Sequence, residues 1–146
     1  MEIFGALMLI AGGLFAGGAA AFAWSRVPIW RRMAVPEFVD DFEQTLRWTD
    51  KVQPALLVVA VVSATAFAVA ADGAARLFAA LGASGFIVVL AASLAVLVPL
   101  QRRIIAAPPG DAEDVMAMRL RWFTGNLGRS ALSIISFAMT VVAAVV

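Results

Sequence analysis

The sequence predicts an all-α protein, a transmembrane four-helix bundle of up-down topology with short amphipathic helices in two cytoplasmic loops. Three observations carry that prediction. Of 146 residues, 63% are hydrophobic and 14% charged, whereas a soluble domain has about 45–50% and about 25%. A soluble core at this length cannot hide so much apolar surface, because a small domain buries only about two thirds of what its unfolded chain exposes. Four apolar stretches, at 3–24, 54–71, 77–100 and 127–146, are each near the roughly 20 residues that cross about 30 Å of hydrocarbon as a helix. Finally, these stretches do not alternate apolar with polar residues, as the strands of a membrane barrel would. The whole chain, 1–146, reads as a single membrane domain.

The first span carries no charge and is rich in small residues. Gly13 and Gly17 form a GxxxG pair, and such pairs let helix backbones approach closely in lipid. Packing inside the bundle and a homodimer through the Gly13/Gly17 face are both open uses of it. The tripeptide Ala21-Phe22-Ala23 resembles a signal-peptidase site, but no basic residue precedes the apolar run, and the run exceeds an ordinary signal core; a retained span is expected. In the second span the Val-rich LLVVAVV would be a buried strand in a soluble protein. Its length and Ala-rich second half favour helix. The third span is uncharged, and the fourth holds only Arg129, near its start.

Basic residues set the orientation. Arg26, Arg31, Arg32, Arg47 and Lys51 lie between spans one and two, and Arg102, Arg103, Arg119, Arg121 and Arg129 lie in or beside the connection of spans three and four; the short connection of spans two and three has only Arg76. The positive-inside rule therefore places loops 25–53 and 101–126 in the cytoplasm and both termini outside, in a multi-pass protein of the inner (plasma) membrane. After Pro36, the residues Phe38, Phe42, Leu46 and Thr49 recur at helical spacing, with Asp40, Asp41 and Glu43 mainly on other faces. The spacing predicts an amphipathic helix at the cytoplasmic surface. The second loop opens on Pro108-Pro109-Gly110. Asp111 and Asp114 then approximate a capping box, and Val115, Met118 and Trp122 follow on a helix that runs into span four.

The halves are also similar in order. Each reads span, Arg pair, Pro, acidic cluster, Arg-Trp, span, with Arg31-Arg32, Pro36 and Arg47-Trp48 in the first and Arg102-Arg103, Pro108 and Arg121-Trp122 in the second. A duplication of this kind gives two hairpins of one orientation, related about an axis along the membrane normal.

Residue types restrict the chemistry. Cys, His and Tyr are absent, so thiolate nucleophiles, Cys/His metal sites, His-ligated haem and His-based triads are excluded within the chain. No metal site and no cofactor is expected. Net charge is +1, which gives no nucleic-acid footprint. Trp122, Asn126 and Arg129 share one helix face by their i, i+4, i+7 spacing. Arg119 extends that stripe downward, and Ser133, Ser136 and Thr140 extend it upward. A membrane-embedded Arg is costly unpaired and faces a bundle interior or wet cavity. Its expected partner is Asp50, with Asp40 or Asp41 next in order. An interfacial Trp anchor with a snorkelling Arg explains the same residues without a site.

A Gly-rich first span, the segment SRVPIWRR, a Phe-containing loop helix, a third span ending in Val98-Pro99-Leu100, and the W-x-x-x-N-x-x-R of Trp122, Asn126 and Arg129 lie in that order. Together they resemble the anthrone oxygenase-like family of small four-span membrane proteins, over nearly the whole chain. Pro28, Trp122, Asn126 and Arg129 are the matching positions. For some members the resemblance implies oxidation of an anthrone to an anthraquinone by molecular oxygen. On that reading Asp50, Asn126 and Arg129 are the candidate catalytic residues, as base, neutral donor and cation. Pro28, Trp48 and Trp122 are the candidate substrate-binding residues. The expected partners are membrane lipid and a hydrophobic small molecule. The alternative is a protein without chemistry of its own, which binds a lipid or hydrophobic molecule or serves as an accessory subunit.

Overall fold

The computed structural model describes residues 2–108 and 110–146. They form four long helices: α1 (Glu2–Trp30), α2 (Val35–Ala70), α3 (Gly73–Ile105) and α4 (Ala112–Val145). All four are long and apolar enough to cross a membrane, and the protein is a multi-pass membrane protein. The described residues contain no strand. Each helix packs on the one before and the one after it, and α1 packs on α4, which closes a ring. At one end, the basic end, sit most of the arginines with the link 31–34 and the described residues of 106–111. At the other end α2 turns directly into α3.

The helices are longer than the apolar stretches. Most of 25–53 and 101–126, expected as loops, is helix that continues the spans. Pro36 lies in the first turn of α2, where the missing N–H has no intrahelical acceptor to lose, so it starts the helix rather than breaking it. The amphipathic stretches expected in the loops are helical, but they do not lie flat on a membrane surface. Phe38, Phe42 and Leu46 of α2 are buried against Trp122 and Phe123 of α4. Their apolar faces found each other, which removes more apolar area from water than an interface does.

One backbone device occurs twice. In α1 the segment Phe22–Arg26, and in α3 the segment Ser93–Leu97, is a π-helical turn. The N–H of Val27 reaches the carbonyl of Phe22, and that of Val98 reaches Ser93. A proline follows each time, Pro28 and Pro99. Proline lacks an N–H and its ring clashes with the carbonyl four residues back. A wide turn just before it shifts the hydrogen-bond register and absorbs that defect. The full motif is a π turn, Val-Pro, two residues and Arg-Arg, in both hairpins. The Val-Pro pairs align with the arginine pairs more closely than the Pro36 and Pro108 of the sequence comparison do.

Among the glycines, the closest approach to a neighbouring helix backbone is at Gly82 of α3, not at the GxxxG pair of α1. A Cβ on Gly82 would stand 2.9 Å from the backbone carbonyl of Ser136, and one on Gly85 would overlap the Ser136 hydroxyl. Thus α3 and α4 meet along Gly82, Gly85, Ser136 and Thr140, as small residues permit in lipid. Gly13 packs on the Phe137 ring inside the bundle, while Gly17 faces open space. The hydroxyls of Ser133, Ser136 and Thr140 donate to carbonyls one turn back on α4, which satisfies them without water. At the far end Gly73 has φ +55°, a conformation that costs little only for glycine. There Arg76 donates to the Ala71 carbonyl at 2.7 Å, placing a cation at the C-terminus of α2.

Candidate functional site

The basic end is filled by aromatic rings. Trp30 stacks parallel to Phe123, with ring centres 6.3 Å apart. Its edges meet Phe42 at 5.1 Å and Trp122 at 5.9 Å, and Phe42 meets Trp122 at 4.9 Å. Edge-to-face pairs of this kind each add about 0.5–1.5 kcal/mol beyond area burial. The Trp30 indole donates to Asp41 Oδ2 at 2.6 Å, and Arg26 lies 3.5 Å from the same oxygen. Arg119, nearly buried, donates to the carbonyls of Trp30 and Met33. It therefore holds the end of α1 and the first link in place from α4.

Beneath this plug lies a cavity of about 80 Å³ to which all four helices contribute. Its inner wall includes Phe15, Leu57, Ser93, Leu97 and Trp122, all buried; Asp50, Pro54 and Leu94 at its rim are exposed. It therefore opens sideways between α2 and α3. Both π turns border it, through Phe22 on α1 and through Ser93, Leu94 and Leu97 on α3. The polar residues around it are Thr49, Asp50 and Gln53 of α2, Ser93 and Gln101 of α3 and Arg129 of α4. Gln101 donates to Asp50 Oδ2 at 2.7 Å. Pro54 has no N–H, so the Asp50 carbonyl also lacks the usual helical donor.

Asp50 and Arg129 thus face one cavity, and no ion pair joins them among the described residues. Arg129 donates instead to Asn126 Oδ1 at 2.8 Å. Of the other carboxylates considered for Arg129, Asp41 is taken by Trp30 and Arg26, and Asp40 is exposed. Three buried polar atoms on residues that line this cavity have no hydrogen-bond partner: Gln53 Oε1, Trp122 Nε1 and Arg129 Nε. Unpartnered buried groups cost about 1–3 kcal/mol each, so such a concentration marks a place where a ligand or ordered water completes the bonding.

Three of the six candidates read from the sequence, Asp50, Trp122 and Arg129, line this cavity, and Asn126 is tied to it through Arg129. Pro28 lies on a separate groove between α1 and α4, which Asn126 also lines. Trp48 lies elsewhere: it is 67% exposed, with the Lys51 ammonium 4.2 Å from its ring centre. The inward face of α2 runs through Phe42, Leu46 and Gln53, and Trp48 points away from it by helical spacing. Gln53 and Gln101 were missed. Gln53 follows Asp50 by three positions and shares its face, a signal that was present; Gln101 had none, since its role depends on the neighbouring helix.

A family model described as anthrone oxygenase matches residues 42–139. That stretch includes Trp48, Asp50, Trp122, Asn126 and Arg129 and leaves Pro28 outside. No curated protein and no solved structure matches the chain. With well over half of its length inside the family match, and with the four membrane-length helices its sequence led us to expect, the chain belongs to the anthrone oxygenase family.

Proposed function

We propose that the protein oxidises hydrophobic aromatic ketones of the anthrone type with molecular oxygen, without a cofactor, in the cavity between Asp50 and Arg129. The observation that carries this reading is a carboxylate and a guanidinium around one cavity, unpaired with each other, beside a free indole N–H. An anthrone has an acidic benzylic CH2. Asp50 takes one of its protons, and the developing enolate oxygen is met by Arg129, with Asn126 holding the guanidinium and Trp122 Nε1 as a further donor. The carbanion carbon bonds to oxygen and becomes a hydroperoxide on taking up a proton. Loss of water, with cleavage of the O–O bond and of the remaining C–H bond, leaves the second carbonyl. One anthrone and one O2 give one anthraquinone and one water.

The sideways opening suits a substrate that arrives through the membrane. A cavity of about 150 Å³ holds benzene, so a three-ring ketone requires this one to widen, and the exposed rim of Pro54 and Leu94 is where it can. The test is purified protein with an anthrone, following oxygen uptake and quinone absorbance together. Equal molar rates of both support the reading. Tight binding of the anthrone with no oxygen uptake would favour a carrier of hydrophobic molecules instead.

We also place the basic end in the cytoplasm and both termini outside, on the asymmetry of arginine and lysine. The chain has no Cys, so single cysteines are clean reporters. A membrane-impermeant maleimide should label Asp72→Cys in intact cells and Asp111→Cys only after lysis. The reverse pattern inverts the topology.

A further inference from the structure

The groove between α1 and α4 is not used by the proposed reaction. It has a volume of about 360 Å³ and lies on the flank of the bundle at the basic end. Pro28, Arg31 and Arg32 form one side, and Phe123, Asn126 and Leu127 form the other. Neither arginine has a carboxylate within ion-pair distance among the described residues. Glu37 shares a neighbouring groove with Arg32 without pairing to it. Arg31 rests 6.0 Å from the Phe123 ring centre, a stacking that orients its guanidinium. At the floor, Asn126 is wholly buried, its Oδ1 is taken by Arg129, and its Nδ2 has no partner. Two unpaired cations above one unused buried N–H donor form an anion site with no anion from the protein itself.

We infer that this groove holds the phosphate of an anionic phospholipid. Phosphate matches the donors: guanidinium forks bind its oxygens in pairs, and the asparagine amide supplies a third direction. Its depth selects a lipid. The arginines sit where α1 leaves its apolar stretch, and Leu127, 56% exposed, continues the groove as an apolar surface for an acyl chain. Basic residues at that level attract anionic headgroups. In the other hairpin Arg102 and Arg103 directly follow Gln101, whose amide donates to the carboxylate of Asp50 on α2. That charge repels a phosphate, which makes the second arginine pair a control at the same end of the molecule.

The test is native mass spectrometry of the full chain in detergent with an equimolar mixture of phosphatidylglycerol and phosphatidylcholine. Retention of phosphatidylglycerol over phosphatidylcholine by about thirtyfold is expected, the product of two arginines that each contribute about fivefold at a membrane surface. The double variant R31Q/R32Q should abolish the preference, and R102Q/R103Q should keep it. Leu127→Trp leaves every charge in place and fills the groove, so it should also lower retention. The inference is overturned if the unmodified chain shows no preference, or if R102Q/R103Q loses it equally. Displacement of bound phosphatidylglycerol by millimolar inorganic phosphate would overturn the lipid as the occupant.

Discussion

The α1–α2 and α3–α4 hairpins use one backbone plan and end in different interiors. Each odd helix makes a π turn, resumes at Val-Pro and exits on two arginines. Two residues after each proline a side chain donates to a carboxylate of α2. Trp30 does so to Asp41 at 2.6 Å, and Gln101 does so to Asp50 at 2.7 Å. The indole brings a large ring, and five aromatic side chains close around it into a solid plug. The amide brings no such volume, and next to it the bundle stays hollow. A π turn with proline therefore sets where a helix can bend its hydrogen bonding. The side chain two positions later decides between packing and a site.

The largest effect that separates the halves should be catalytic. Asp50→Asn should lower kcat/KM for anthrone oxidation by about 10²–10⁴, the usual worth of a general base, and Arg129→Gln by about 10²–10³. Asp41→Asn, the counterpart on the plug side, should leave the rate of folded protein unchanged and lower stability instead. Equal losses of rate at Asp41 and Asp50 would sink the division. Next in size, Trp30→Ala should destabilise by about 3–5 kcal/mol, as for a large buried aromatic. Gln101→Ala should cost about 1 kcal/mol, the net value of one hydrogen bond. Thermal unfolding in detergent compares the two.

Much of this difference was outside the reach of sequence. The four helices were legible because composition and length follow directly from the thickness of a bilayer. The stripe of Trp122, Asn126 and Arg129 was legible because helical spacing puts them on one face. The ends of the helices were not, because proline at a first turn and proline in a break look alike as letters; Pro36 opened α2 and Pro54 lay inside it without ending it. The link between Gln101 and Asp50 spans two helices, and no local pattern encodes which faces will meet. Gly18 is a similar case. A Cβ there would overlap the Gln53 amide nitrogen, so this glycine makes the room in which Gln53 borders the cavity. Gly18→Ala should push Gln53 into the cavity and weaken substrate binding several-fold, with about 1 kcal/mol of overpacking. An unchanged KM would show that Gln53 relaxes outward.

The smallest expected effect is the most discriminating for the repeat itself. Leu46-Arg47-Trp48 and Leu120-Arg121-Trp122 are identical tripeptides just before the apolar stretch of each returning helix, and on sequence alone the two tryptophans are equivalent. In space they are not: Trp48 is 67% exposed, Trp122 is 2% exposed, and only Trp122 reaches the cavity. In α2 the leucine of the tripeptide faces inward, and in α4 the tryptophan does; Leu120 is exposed and Leu46 is buried. The inward faces of the two helices are thus out of step relative to the shared letters, and one inserted residue is enough to rotate a helical face by about 100°. Trp122→Phe keeps most of the packing and removes the unpartnered indole N–H, so it should reduce the rate more than the stability. Trp48→Ala, on an exposed face, should change stability within about 0.5 kcal/mol and leave the rate unchanged. If Trp48→Ala instead lowers the rate as Trp122→Phe does, the two tryptophans act as equivalents and the asymmetry of the hairpins is wrong at its centre.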